Sequence, residues 1–476
     1  MAQRLQVQPI NHVEQFRFIS DTKKCFRNRF SNLSHHLLIR HGQDEKRCTA
    51  GAIVVICKWK SAIERRMPVN RIIRIALTAL VLVCGIWLGT GRQFYREAMV
   101  SAFLALALAS VIIIHLRVCA TWMDALSILA GTALLSAIDL RILHFRPAIM
   151  AWFSFAGLSS LVIFAIRAIW AKQSERKLFL LGFVPALLFV VSEYFADNLL
   201  HWTAANHPKA LDLYLFSFDS SLGVQFPFLA GQAFAIWPWL RLVGILFYIG
   251  LPIPIAVVYS GQLLGKRENA TPSMVAFLAT GPIGIIFYNL FPALGPMHLF
   301  LQGFPWHPLT IEQASRLLAE PIAIDGPPNA IPSLHMAWVL LVWWYSRGLT
   351  WWERSVAMLF LSFTVLATLG TGEHYFIDLI VAFPFAMMVE SLCAFNLEFS
   401  DRTRWLAFFA GLGGTLGWFA LLRHSLHFFW LSPILPWSFC LATVIVSLFC
   451  ERLLQTHKQA SALAATVPSP ALSPLS

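Results

Sequence analysis

Residues 148–166 read AIMAWFSFAGLSSLVIFAI, a run without one ionisable side chain. A helix needs about 20 predominantly apolar residues to cross about 30 Å of hydrocarbon, and this run meets that length. Working outward, comparable stretches recur at 72–90, 98–116, 121–140, 178–196, 237–260, 272–291, 333–346, 354–371, 376–395, 405–422 and 427–450, about twelve spans in all. Lipid offers no partner for an exposed backbone amide, so only helices and closed barrels span it. The short alternating segments of an outer-membrane barrel are absent. The expected fold is all-α, a polytopic transmembrane helical bundle.

Composition agrees. Of 476 residues, 58% are hydrophobic and 13% charged, against roughly 45–50% and 25% in soluble domains. Phe (39) and Trp (18) supply much of the excess. A soluble enzyme, a coiled coil and a disordered scaffold would each need more polar surface than this. The net charge is +12, and residues 1–74, with 15 Lys/Arg against 5 Asp/Glu, carry +10 of it. A basic flank before a first span reads as a cytoplasmic anchor, so no nucleic-acid partner is expected. The cysteines (Cys25, Cys48, Cys57, Cys84, Cys119, Cys393, Cys440, Cys450) form no C-x-x-C and read as core or tail thiols.

The first span begins too far into the chain, and lacks the cleavage site, to be a signal peptide. Met67 opens M-P-V-N-R-I-I-R directly before it. Either Met67 is the true initiator, or residues 1–66 are a disordered basic tail. Residues 455–476 are rich in Ala, Ser and Pro and are expected to be disordered. With the N-terminus inside, Arg117, Arg167, Lys172, Arg176, Lys177, Lys266, Arg267, Arg347, Arg402 and Arg404 all fall in cytoplasmic loops, with Arg141 and Arg146 against the pattern. Both termini are then cytoplasmic. Two long loops, 197–236 and 292–332, face outward with one basic residue each, Lys209 and Arg316. Loops of that length are usually functional or disordered. The first, with Asp197, Asn198, His201, Trp202, Asp212 and Asp219, reads as a cap over a site or as an interfacial helix.

Two clusters carry candidate chemistry. In the first, Pro327–His335 (PPNAIPSLH) precedes an apolar helix. Pro332 suits a helix start, which puts Ser333 and His335 at an N-terminus, where free amides and the helix dipole favour an anion. The alternative is a serine cap with an interfacial histidine. In the second, Gly370–Asp378 (GTGEHYFID), His374 and Asp378 lie four apart on one helix face. The carboxylate can fix one imidazole nitrogen and leave the other as base or nucleophile. The alternative is a structural His–Asp pair. No metal spacing, H-E-x-x-H or G-x-S-x-G occurs, so no metal or cofactor is expected.

The pair P-S-L-H (332–335) and H-Y-F-I-D (374–378) resembles the second and third signature motifs of the type 2 phosphatidic acid phosphatase superfamily. The S-L-H form with H-Y-x-x-D looks more like its inositol phosphorylceramide synthase branch. Tyr288–Pro296 (YNLFPALGP) resembles that branch's first motif, and the likeness spans roughly 180–395. The resemblance implies a six-helix catalytic core and a role for each matched residue. His374 takes the phosphoryl group, Asp378 orients it, and His335 protonates the leaving oxygen. Ser333, with Tyr288, Asn289 and Tyr375, holds the substrate. The chain departs from the superfamily phosphatases in one respect. It lacks their Lys/Arg first motif, and Ala367 and Thr368 stand where an arginine precedes the third motif. That scarcity of cations suits a singly charged phosphodiester donor, unless Arg316, Lys209 or His298 supplies the charge.

The expected function is a membrane lipid phosphotransferase that moves a phospho-head group such as phosphoinositol from a phospholipid to a lipid alcohol. Membrane lipids serve as both donor and acceptor, and the site lies on the extracytoplasmic face of a plasma membrane. A lipid phosphatase is the nearest alternative. A proton-relaying transporter would show repeated halves, and none is visible. A glycosyltransferase would show an acidic pair in an early outer loop, and Asp197 and Asp212 do not make one. The organisation reads as tail (1–70), accessory helices (71–177), catalytic core (178–398), C-terminal helices (399–453) and tail (454–476).

Overall fold

The computed structural model describes residues 67–90, 102–140, 149–265 and 267–466. The expectations for 1–66, Arg141, Arg146, Lys266 and 467–476 lie outside the described residues. Residues 1–75 and 76–476 are separate units, and of the first only the opening of α1 (Met67–Thr90) is described.

The second unit continues with α2 (Ala102–Cys119), α3 (Trp122–Ile138), α4 (Ile149–Trp170) and α5 (Gln173–Asn206). The loop expected at 197–236 holds the end of α5, then α6 (Asp212–Ser221) and α7 (Phe226–Ile236). Next come α8 (Pro238–Ile249), α9 (Pro252–Gly265) and α10 (Arg267–Leu290). The second long loop contains α11 (Pro296–Phe300) and α12 (Ile311–Ser315). The chain closes with α13 (Leu334–Ser346), α14 (Trp351–Gly370), α15 (Phe376–Leu392), α16 (Arg402–His424), α17 (Leu426–Phe429) and α18 (Ile434–Thr466). Among the described residues there is no strand, only an isolated antiparallel bridge between Ala210 and Ile322. The all-α expectation is met.

Five helices are long and apolar enough to cross a membrane: α4, 269–290 of α10, α14, α16 and 434–461 of α18. The pair α7–α8, bent by 119°, makes a sixth if taken as one span. Parts of α1, α2, α3 and α9 are apolar but shorter. Proline explains two departures from the expected spans. Pro238 has no N–H to donate and disfavours the helical region for the residue before it. Trp237 accordingly sits at φ −117°, ψ 85°, and the chain turns there. Pro252 opens α9 after Gly250 and Leu251, so the stretch 237–260 is two helices.

α13 has 13 residues, about 20 Å of helix, which is shorter than the hydrocarbon. It does not meet lipid alone. It packs against α9, α10, α14 and α15, and α15 in turn packs against α10, α16 and α18. Both are buried along nearly their whole length and form the centre of the main core with Phe287, Phe291, Trp344 and Phe385. The outer helices expose Trp87, Trp122, Leu129, Phe409 and Phe449. An apolar exterior of that extent marks a membrane-facing surface. The last helix runs to Thr466, into the stretch read as tail, because its polar end is anchored. Lys458 lies 3.1 Å from Glu390 of α15, and Arg347 lies 2.6 Å from Glu451.

Candidate active site

The site forms where the N-terminal ends of α13 and α15 meet. Ser333 is the N-cap of α13, and its Oγ accepts the Met336 N–H at 3.4 Å. Pro332 therefore precedes the cap, and the serine hydroxyl serves the helix, as the capping alternative foresaw. The Ser333 N–H donates to the Asp378 carbonyl at 3.1 Å, joining the two helix ends. His335 lies in the first turn of α13. Its ring stacks on Tyr248 with centroids 3.8 Å apart and meets Trp338 edge-on at 6.2 Å.

Tyr375 caps α15, and the Asp378 carboxylate accepts the Tyr375 N–H at 2.7 Å. His374, just before that cap, has its Nδ1 2.9 Å from the Ala330 carbonyl oxygen. A carbonyl oxygen only accepts, so Nδ1 carries the proton and Nε2 keeps its lone pair. Asp378 Oδ2 is 3.5 Å from the same nitrogen, a neighbouring carboxyl rather than its hydrogen-bond acceptor. The tautomer is thus fixed by Ala330, where the sequence pointed to Asp378. Burial lowers the His374 pKa to about 4, so the ring is neutral near pH 7. The rings of His335 and His374 have centroids 6.3 Å apart at 63°.

Tyr288 is buried beside His335 and lines the same cavity. Asn289 turns away. Its amide donates to Thr203 Oγ1 at 3.2 Å and the Ile285 carbonyl at 2.8 Å, and its Oδ1 is 3.1 Å from His207 Nε2. It ties α10 to the end of α5. Arg316 is exposed and paired with Glu312 at 2.6 Å. The structure brings together His335, His374, Asp378, Ser333, Tyr288 and Tyr375, and leaves Asn289 and Arg316 outside. Lys209 is exposed. Ala367 and Thr368 are buried, and no Lys or Arg lines the cavity beside His335. Among the described residues, no group of three His, Cys, Asp or Glu side chains could hold a metal ion.

Two residues absent from the expected site hold it together. The Asp212 carboxylate accepts the N–H groups of Leu294 at 3.0 Å and Gly295 at 2.8 Å, and the Tyr375 hydroxyl at 3.1 Å. It links the first motif to the third. The Asp219 carboxylate accepts the N–H groups of Phe376 at 2.6 Å and Ile377 at 3.1 Å, occupying the first amides of α15. Burial raises Asp212 to about 6 and Asp219 well above the usual carboxylate range. The signal was present in DLYLFSFDSS (212–221), two acids in an apolar segment. A buried carboxylate is costly without donors, so such acids must find amides elsewhere in the chain.

The backbone completes the frame. The Ala330 N–H donates to the Ala293 carbonyl at 2.9 Å, and the Met297 N–H donates to the Gly372 carbonyl at 2.9 Å. Gly295 adopts φ +125°, and a Cβ there would stand 2.4 Å from the Glu373 carbonyl oxygen. Only glycine allows so close an approach of the first motif to the third.

No curated protein and no solved structure matches the chain. Residues 213–392, the segment from α6 to the end of α15 that brings both histidine motifs to one place, match the family model of the PAP2 superfamily and are similar to a superfamily of phosphatases and phosphotransferases.

Proposed function

We propose that this protein is an integral membrane phosphotransferase that moves a phospho-head group from a phospholipid to a lipid alcohol through a phosphohistidine. The observation that carries this reading is the pair of half-buried His335 and buried His374, their ring centroids 6.3 Å apart, with the Nδ1–H of His374 held by Ala330. His374 Nε2 attacks phosphorus, and the bond from phosphorus to the donor's oxygen breaks. His335, which takes up a proton once the anionic phosphate lies beside it, gives that proton to the oxygen. In the second half, His335 removes the proton of the acceptor hydroxyl, that oxygen attacks phosphorus, and the bond to Nε2 breaks. The proton ends where it began. The face of Tyr248 under His335 stabilises the transient cation. Positioning and charge stabilisation supply most of the barrier reduction in such transfers.

The lack of a Lys or Arg in the first motif, and Ala367 and Thr368 where an arginine would precede the third, favour a donor with one phosphate charge, as in phosphatidylinositol. A dianionic monoester would need a cation clamp. The distribution of Lys and Arg supports cytoplasmic termini, about twelve spans, and a site on the extracytoplasmic face of the plasma membrane, with 178–398 as the catalytic core.

The test is an assay of purified protein with fluorescent ceramide and a panel of phospholipid donors. Head-group transfer is expected, with none from His374→Ala. Product formed with water alone as acceptor would replace this reading by a lipid phosphatase. Full turnover by His374→Ala would end both.

A further inference from the structure

Glu373 stands directly before His374, and its backbone is pinned on either side. The Met297 N–H donates to the Gly372 carbonyl at 2.9 Å, and the His374 N–H donates to the Thr368 carbonyl at 3.3 Å. Gly372 adopts φ +76°, a turn conformation that other residues seldom take. The Glu373 side chain is half-buried, so a ligand can reach it. Among the described residues its carboxyl group has no hydrogen-bond or ion-pair partner.

Two ionisable side chains feel the charge of that carboxyl: His374 beside it and Tyr248 at the end of α8. Tyr248 is the ring on which His335 stacks, and His335 and His374 are themselves neighbours. The carboxyl therefore belongs to the cluster in which the transferred phosphate sits. Burial raises its pKa above the ordinary carboxylate value, against the pull of His374.

A carboxylate beside a phosphate would repel it. A carboxylic acid would instead donate an O–H···O⁻ bond, one of the stronger kinds of hydrogen bond. The negative phosphate itself disfavours ionisation of a carboxyl next to it, so binding selects the acid. No Lys or Arg among the described residues acts on Glu373, which leaves this acid as the donor at hand where an arginine is missing.

We propose that Glu373 is a phosphate-binding residue that, as a neutral acid, donates to a non-bridging oxygen of a singly charged phosphodiester in place of a cation. The proposal rests on the transferase reading and deepens it by naming what recognises the donor's phosphate. Where Glu373 starts ionised, binding takes up one proton from solvent, and no bond to phosphorus forms or breaks.

The experiment uses the purified full chain in micelles carrying His374→Asn, which stops turnover. Dihexanoyl phosphatidylinositol is titrated into it calorimetrically from pH 5.5 to 8.5. Affinity should weaken with rising pH, by up to about tenfold per pH unit more steeply than when Glu373→Gln is added, because the amide donates without titrating. His335 is present in both proteins, so its own proton uptake cancels. Adding Glu373→Ala instead, with no donor, should bind at least about tenfold more weakly than Glu373→Gln throughout, the worth of a hydrogen bond to a charged group. All three should melt alike, since Glu373 bonds to no described residue. Parallel pH curves with and without Glu373→Gln, equal affinity of Glu373→Ala, or no binding of the probe would each overturn the proposal. Head-group transfer is measured separately in otherwise wild-type protein. Its absence, with the pH signature intact, would end the transferase reading and leave the phosphate contact standing. Transfer with an unchanged KM in Glu373→Ala would do the reverse.

Discussion

The carbonyl oxygen of Ala330 receives the Nδ1 proton of His374 across 2.9 Å, while the amide of the same residue donates to Ala293. One residue just ahead of the second motif therefore sets the tautomer of a histidine in the third and is itself fixed by the first. This predicts a separation of stability from activity. In His374→Asn the side-chain amide can still donate to Ala330, so the fold should survive while transfer falls by at least about a thousandfold. His374→Ala should lose the same activity and, in addition, about 1 kcal/mol of stability. Thermal melts in micelles alongside turnover would distinguish the two.

Asp212 accepts two amides and a phenol in a buried setting. Its replacement by Ala leaves those donors unpaired, and a loss of about 2–4 kcal/mol is expected. The measurement is denaturant or thermal unfolding followed by tryptophan fluorescence.

The same aspartate gives a pH signature. Its folded pKa of about 6 lies above its ordinary value, so between about pH 4 and 6 the folded state binds the extra proton and stability declines as pH rises. His374, lowered to about 4, has the opposite sign, because the unfolded imidazole takes up its proton first as pH falls below about 6.5. In the wild type these two slopes offset one another. In Asp212→Asn only the histidine slope of this pair remains, so acidification from pH 6.5 to 4 should lower the melting temperature more steeply than in wild type. Parallel curves would refute the assignment of either group.

Gly295→Ala should be far more damaging than its size suggests. Its φ of +125° and the 2.4 Å approach of a Cβ to the Glu373 carbonyl together imply a cost above about 3 kcal/mol. Expression of folded protein, judged by size-exclusion elution, should drop sharply. Gly413→Ala, where a Cβ meets nothing within 4 Å, is the matched control and should behave as wild type.

Arg316→Ala should leave turnover and melting unchanged. Its guanidinium is solvent-exposed and paired with Glu312 of α12, the kind of pair that contributes little. A large loss of activity would return Arg316 to the phosphate site.

The helical class was legible because lipid leaves few options once long apolar runs recur. The meeting of His335 and His374 was also legible, since both stand at helix starts with matching motifs. The partner of His374 was not. The i,i+4 rule places Asp378 on the correct face, but a backbone carbonyl 44 residues away leaves no mark in side-chain spacing. Asp212 and Asp219 were visible as acids in an apolar segment, yet their amide partners lie far along the chain, beyond any local pattern. Arg316 looked available because the sequence shows a lone cation in a long loop and conceals that it points to solvent. The division of 237–260 followed from Pro238 and Pro252, whose effect on a long apolar run was outweighed by hydropathy.

Asp219 already occupies the leading amides of α15, so the positive pole of that helix is spent inside the protein and is not offered to a ligand. A free inorganic anion entering the site would find little to hold it, and added orthophosphate should inhibit turnover only weakly.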